Sequence, residues 1–446
     1  MEKKDIDISE ITKKFHQFET QYIEGKDWGL WDATRFWLYY DIQNKIIQAP
    51  KDNNYLTKLS HHYFRSLKSF LRLIKNANKS VDFLIFSASR FKDEDGNWYD
   101  PNIIDINRQL QSRGKVLVLD SCNKANNKEY NSIFNSGIGL IYKILPSTHT
   151  SLSEKILNKL DEIFEVKVDR KIPLNEISRF NKEKKYYLWL FKKVHPKAIF
   201  LTQNGIQKGM MAAANQLSIP LIELQHGIIY FSHLAYSYGS DVNPDKLYLP
   251  DYFLTFSEFW KRKVNDCFPV KEIISCGNTK ASSIKPSSKV YDLSFICTTS
   301  YIEPFLKILE DLRNLGYKGK VCLKLHPQQL PEYENLKSKF SEDNDTSVIY
   351  TEISMKDIIG MSKRMVAIQS TSVYEALDAG TEVLILKMLS YNTQNDVLNH
   401  PLVKLIENAD DIISEVNNEI PVTISHEKYF EPYKPEKFET LLNRIL

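Results

Sequence analysis

The chain has 446 residues, 42% hydrophobic and 26% charged, with a formal net charge of +3. It is too long for one ordinary domain and too apolar for a disordered chain. Acidic and basic residues are mixed throughout, which argues against a nucleic-acid partner but leaves room for a local basic cleft that receives an anion.

In chain order, residues 1–75 read as helical and aromatic-rich, with Trp28, Trp31, Phe36, Trp37 and Tyr40 at helical spacing. That spacing predicts packing, with an acceptor-facing surface as the other reading. Strand-like runs follow at 81–89 and 115–121, then a helical region over 151–193 and a strand opening KAIFLTQNG at 197. The helix IQKGMMAAANQLS leads to the strand IPLIELQ, and a strand, a helix and KEIISCGNTK come next. The Ser/Lys/Pro-rich stretch 282–289 reads as a linker. Beyond it, apolar runs at 292–300, 320–327, 347–352, 364–372 and 381–387 alternate with helices. Such alternation predicts parallel sheets with covered faces.

Five cysteines without CxxC spacing indicate neither a disulfide framework nor a zinc site, and fit a reducing cytoplasm. The start, MEKKDIDISE, has no signal-peptide core, and no apolar run is long enough to span a bilayer. A membrane-bound acceptor would be met by peripheral contact alone.

Ligands of open α/β sheets sit beyond the carboxyl ends of strands, so residues just after strands are the candidates. In ELQHGIIY, His226 is a candidate base, because an imidazole with a pKa near 6.5 accepts a proton at neutral pH. Gly227 beside it lets the backbone turn freely. Gln225, Tyr230 and His233 extend this into an aromatic-polar segment with Tyr236 and Tyr238, a sugar platform or a packed cluster. In VCLKLHPQQ, Lys324 and His326 share one face ahead of Pro327, which suits the phosphates of a nucleotide or a solvated edge. In AIQSTSVYEALDAG, Ser370, Thr371 and Ser372 open a helix whose orphan N–H groups favour an anion. Ser372 and Glu375 have capping-box spacing, leaving Ser370 and Thr371 unexplained by a cap. Glu375 is alternatively a ribose ligand. FKDEDGNWYDPN is carboxylate-rich but reads as a turn-rich loop, and no Asp-x-Asp follows a strand in the second half. No metal ligand set and no cofactor is therefore expected.

Together these pieces resemble bacterial GT-B glycosyltransferases of capsule and lipopolysaccharide assembly. They are similar to sialyltransferases, polysialyltransferases and teichoic-acid glycerophosphotransferases. The resemblance rests on His226-Gly227, His326-Pro327, Ser370-Thr371 and the strand–Gly–Asn step at Gly277-Asn278, over roughly residues 195–390. It implies an α/β, GT-B-like fold: two Rossmann-like domains facing across a cleft, with a helical N-terminal extension. Residues 1–270 would form the acceptor-side domain and 271–446 the nucleotide-donor domain, with the segment PEKFETLLNRIL packing back as a helix near the first.

The resemblance also implies inverting, metal-independent transfer of a sugar from a nucleotide-sugar donor to a glycan or lipid-linked glycan acceptor. This would occur in the cytoplasm or at the inner face of the cell membrane. His226 would be the base. Lys324, His326, Pro327, Ser370, Thr371, Ser372, Glu375 and Gly277 would hold the donor, and Gln225, Tyr230 and His233 the acceptor. Sialyltransferases take their base from an acidic motif that Glu94-Asp95-Gly96 matches in letters, though early in the chain, so Glu94 or Asp95 is the rival base. Polyol-phosphate transfer from CDP-glycerol or CDP-ribitol, nucleotide-sugar epimerisation and a non-catalytic glycan-assembly subunit stay open.

Overall fold

Strands buried on both faces read as unbroken apolar runs, because helices cover both sides of a parallel sheet. FLIFS, VLVLD and AIFL are such runs, and each is a strand. The computed structural model describes residues 7–25, 27–47, 70–75, 81–92, 96–122, 130, 132–135, 137–202, 204–239, 242–279, 284, 287–298, 302–326, 329–388, 391–419 and 427–446. The expected linker 282–289 is described only in part.

The chain divides into two compact units, one of Ser9–Lys280 with Tyr433–Leu446, the other built on Ala281–Pro432. The first contains β1 (Phe83–Ser87), a small ribbon of β2 (Phe91–Lys92) and β3 (Trp98–Tyr99), β4 (Val116–Asp120), β5 (Ser132–Phe134), β6 (Ala198–Leu201), β7 (Leu221–Leu224), β8 (Tyr252–Thr255) and β9 (Glu272–Ser275). Its seven-stranded sheet runs β5-β4-β1-β6-β7-β8-β9 with every pairing parallel. The second contains β10 (Tyr291–Ile296), β11 (Val321–Lys324), β12 (Thr346–Ile349), β13 (Ser362–Ala367), β14 (Glu382–Leu386) and β15 (Val403–Ile406), in the order β12-β11-β10-β13-β14-β15, again all parallel.

In each sheet the chain builds outward from the first strand, then returns and builds the other way. This is the Rossmann order, and the reversal points lie between β1 and β6 and between β10 and β13. The expected pair of Rossmann-like α/β units with N-terminal helices is what the structure contains.

The pleat sorts the first core. Leu84, Phe86, Leu117, Leu119, Ile199 and Leu201 point to one face, against Tyr186, Leu190 and Phe191 of helix Lys171–Val194 and Met210 and Met211 of helix Lys208–Gln216. Their neighbours Phe83, Ile85, Val118 and Phe200 point to the other, against Leu110 of helix Ile104–Arg113 and Phe438, Leu441 and Leu442 of helix Pro435–Ile445. The alternation is the strand period of two. In the second unit Leu293, Phe295, Leu323, Val366 and Leu384 pack on Phe305 and Leu309 of helix Ile302–Asn314.

The expected division at 270/271 differs from the compact units because β9 pairs with β8 in the first sheet, Tyr252 opposite Glu272. The final helix also belongs to that unit, where Lys434 N–H donates to the Cys276 carbonyl at 2.7 Å. In the N-terminal extension, helices Ile8–Tyr22 and Asp27–Ile46 pack through aromatic rings, with Phe15 and Trp31 centroids 5.5 Å apart. Among the described residues no helix is long and apolar enough to cross a membrane.

The closing helix should therefore matter to the first sheet. Phe438 is fully buried against Phe200, so Phe438→Ala is expected to cost about 3–5 kcal/mol. Urea unfolding followed through the tryptophans checks this, since Trp28, Trp31 and Trp260 all lie in that unit.

Candidate functional site

At the edge of the six-stranded sheet, register brings the candidate residues into one row. Phe295 of β10 lies opposite Leu323 of β11 and Val366 of β13. Thr298, His326 and Ser370 thus follow the same line by three or four residues, on adjacent strands around the reversal point. Gln329 ties two of them together: its side chain accepts from the His326 N–H at 2.8 Å and donates to the Thr298 carbonyl at 3.1 Å. The Thr298 hydroxyl is buried without a hydrogen-bond partner among the described residues. Burial lowers the pKa of His326, so its imidazole is neutral at physiological pH.

Helix Thr371–Asp378 begins here, and its cap differs from the expected one. Ser370, not Ser372, is the N-cap: its backbone is extended and its hydroxyl accepts from Ser372 N–H at 3.1 Å. Because the helix starts at Thr371, Ser372 sits in the second helical position, buried, and Glu375 lies two positions beyond Val373, where a capping box needs its acid. Glu375 is half-buried. Burial raises its pKa to about 7, aided by Asp378 and opposed by Lys356. It is thus poised between a charged acceptor and a neutral donor. Lys324 is buried and its ammonium donates to the Tyr350 carbonyl, so it is already engaged. Pro327 lies outside the described residues, as do Glu94 and Asp95.

In the seven-stranded unit, β7 ends in Gln225 and His226. Gln225 is buried and both ends of its amide are used: Oε1 accepts from Phe256 N–H and Nε2 donates to the Gly227 carbonyl, each at 2.9 Å. It therefore joins the ends of β7 and β8. His226 is half-buried, with Nδ1 3.5 Å from the Tyr236 hydroxyl, which itself donates to Glu223 at 2.6 Å. Burial, with the charges of His233 and Arg90, pulls His226 down to about 3. The ordinary pKa near 6.5 expected for it does not survive folding.

His233 packs among Tyr230, Tyr236 and Phe36, with centroids at 5.5, 5.0 and 6.4 Å, and burial lowers it to about 4. Tyr236 and Tyr238 are buried packing residues; Tyr230 is half-buried.

The two glycines also sort differently from expectation. Gly227 is not in the left-handed region, and a Cβ there would meet nothing within 4 Å. The fold does not demand glycine at 227. Gly277 does need its freedom, with φ +73°, but it turns the chain after β9 in the seven-stranded unit, where its N–H donates to Thr255. It is not part of the row beyond β10, β11 and β13.

One constellation escaped the sequence. Asp100 and Asp120 are buried behind the ends of β1 and β4. Asp100 accepts from the N–H groups of Ala88 and Asn102, and Asp120 from Ser89 N–H and Oγ. Burial raises Asp100 to about 6, with the Asp120 charge contributing. The only sequence signal was the Asp-Pro step in the carboxylate-rich loop, which read as a turn. Among the described residues no group of three or more His, Cys, Asp or Glu is placed to hold a metal ion.

No protein-family model matches the chain, and no curated protein matches it in sequence. Among solved structures it is similar to the UDP-GlcNAc 2-epimerase of Methanocaldococcus jannaschii, at 12% identity and TM-score 0.47, covering 82% of this chain and 99% of that one. It is similar to the UDP-GlcNAc 2-epimerase of Neisseria meningitidis bound to UDP-GlcNAc, at 14% identity and TM-score 0.47, covering 81% and 100%. MurG of Acinetobacter baumannii gives 10% identity and TM-score 0.43, covering 82% and 92%. All three are loose likenesses of overall fold.

Two outcomes follow from this geometry. Ser370→Ala should cost about 1 kcal/mol of stability through the lost cap, whereas Ser372→Ala removes no cap; thermal melting of the two variants checks the assignment. His226 and His233 bind protons more weakly folded than unfolded, where the pKa is near 6.5. Their contribution to stability is full above about pH 6.5 and is lost as pH falls toward their folded values of about 3 and about 4. Denaturant midpoints should drop between neutral and mildly acidic pH, and the drop should shrink in His233→Gln.

Proposed function

We propose that the protein is a glycosyltransferase that moves a sugar from a nucleotide-sugar donor to a hydroxyl of a glycan or lipid-linked glycan. The observation that carries the reading is the row of Thr298, His326 and Ser370–Thr371 beyond three adjacent strands, at the reversal point of the six-stranded sheet. That edge is where a doubly wound sheet accepts a nucleotide. The positive end of the dipole of helix Thr371–Asp378, with the Thr371 N–H, suits the donor phosphates, and Glu375 suits ribose hydroxyls. As the glycosidic bond to the donor breaks, negative charge grows on the leaving phosphate. Fixed helix N–H groups stabilise that charge without reorganising.

In this reading His226 takes the proton from the acceptor hydroxyl as its oxygen attacks the anomeric carbon. Its depressed pKa keeps the imidazole unprotonated at all physiological pH, but also makes it a weak proton acceptor. Removing it is therefore expected to act at the lower end of the range for a positioned base. Gly227 beside it leaves open space that an acceptor can approach.

The test is transfer and donor hydrolysis measured with several nucleotide sugars and with CDP-glycerol. His226→Ala should slow transfer about 10²-fold, while calorimetric nucleotide affinity and melting temperature stay near those of the parent. The rate should show no rising limb assigned to His226 between about pH 5 and about pH 9. Turnover should persist in excess EDTA. An inactive Glu94→Gln or Asp95→Asn variant beside a fully active His226→Ala would move the base to the acidic motif. A changed sugar without any acceptor would identify an epimerase, and turnover of CDP-glycerol alone a polyol-phosphate transferase. Binding without turnover of any donor would leave a non-catalytic subunit.

A further inference from the structure

A cavity of about 190 Å³ opens at the other reversal point, between β1 and β6 of the seven-stranded sheet. Ser87 from the end of β1, Ser121 from beyond β4, and Thr202 and Gln207 from beyond β6 line it. The Gln207 amide donates to the Thr202 carbonyl at 3.1 Å. Thr202 is 2% exposed, and no described residue hydrogen-bonds its hydroxyl. The rings of Phe86 and Tyr187 give the cavity apolar faces.

Charge narrows what can enter. No lysine, arginine or histidine is among the described lining residues, so an anion finds no cation among them. The one ionisable acid, Glu183, already receives the Tyr142 hydroxyl and lies 3.5 Å from Arg179, and burial favours its neutral form. A cation therefore finds no free carboxylate. What is left is a set of hydroxyl and amide groups around apolar faces, matching a ring that carries hydroxyls on its edge and C–H groups on its faces. The volume lies below the roughly 300–1,000 Å³ of pockets for larger ligands, so one ring is the limit.

We propose that this cavity binds a single uncharged, hydroxyl-bearing ring, a sugar unit of the acceptor. Naming it an acceptor unit rests on the transferase reading; the binding itself does not. Strand β7, which leads to His226, is the next strand after β6, so the ring would sit one strand away from that residue.

The experiment is saturation-transfer NMR on the full chain with methyl glucoside, methyl galactoside and methyl N-acetylglucosaminide, with inorganic phosphate as the charged counterpart followed by phosphorus line width. At least one glycoside should show transfer and phosphate should show no broadening. Thr202→Val, which keeps shape and removes the hydroxyl, should weaken glycoside binding about tenfold, the upper end for one hydrogen bond. Ala88→Leu, which fills the cavity, should abolish it; melting temperatures report whether each variant is folded. No transfer to any glycoside in the parent, equal binding in a folded Thr202→Val, or preferential phosphate binding each overturns the proposal. Donor hydrolysis in the same samples separates the two readings. Glycoside binding without donor turnover keeps the cavity and removes the transferase. Donor turnover without glycoside binding does the reverse.

Discussion

The segment between β7 and β8 is long and nearly free of regular structure, and one buried ion pair holds it. Glu19 and Arg35, both fully buried on the N-terminal helices, meet at 2.5 Å. Arg35 then extends outward: its guanidinium donates to the carbonyls of Leu234 at 2.5 Å and Ser237 at 3.0 Å, and stacks 4.1 Å from the Tyr238 ring. Trp31 and His16 saturate the other side of Glu19, and His16 also meets the Ser237 hydroxyl. Burial opposes the charge on Glu19, yet Arg35 and these hydrogen bonds outweigh it and hold the carboxyl at about 2. Such a pair gives little net stability by itself, but removing one partner strands a charge at a cost of about 3–5 kcal/mol. It therefore works as a registration device for carbonyls that have no helix or strand to bond with.

A second ion pair extends the same clamp. Lys208 meets Asp32 at 3.2 Å and donates to the Tyr248 carbonyl, while Asp32 accepts from Tyr238 and from Tyr248 N–H. The helical extension thus does more than cover apolar surface. It sets the course of the segment that carries His226, Tyr230 and His233, and Tyr236 hands that order on to Glu223 at the sheet.

Much of the fold was legible because the signals are local. FLIFS and EVLIL are strands wherever a parallel sheet can bury them, and the position of a residue just after a strand follows from that alone. The edge strands SIF and VKLI were not legible, being only three and four residues long. Commitments of side chains were less legible. Lys324 reads as a phosphate ligand, but its ammonium is engaged by the Tyr350 carbonyl, and Gln225 reads as an acceptor ligand, but both ends of its amide bond the backbone. The cap moved from Ser372 to Ser370 because the strand before it ended sooner than the apolar pattern suggested. The Glu19–Arg35 pair was out of reach: no local pattern connects two polar residues on a helical pair with carbonyls some two hundred positions away.

The return of residues 433–446 to the first sheet makes the six-stranded unit an insertion within the seven-stranded one. On the ribosome this imposes an order. Residues 281–432 emerge with their whole sheet in hand and can close their core at once. The first sheet, although made earlier, has one face bare where Phe438, Leu441 and Leu442 will lie, and it waits for the inserted unit to be synthesised before that face is covered. At about 5–20 residues per second that interval lasts many seconds, during which Phe83, Ile85 and Phe200 are covered by Leu110 and its helix but lack the cover of Phe438, Leu441 and Leu442. A nascent protein of this design has most need of a chaperone while the inserted unit is being made, when the strands of the first sheet already exist.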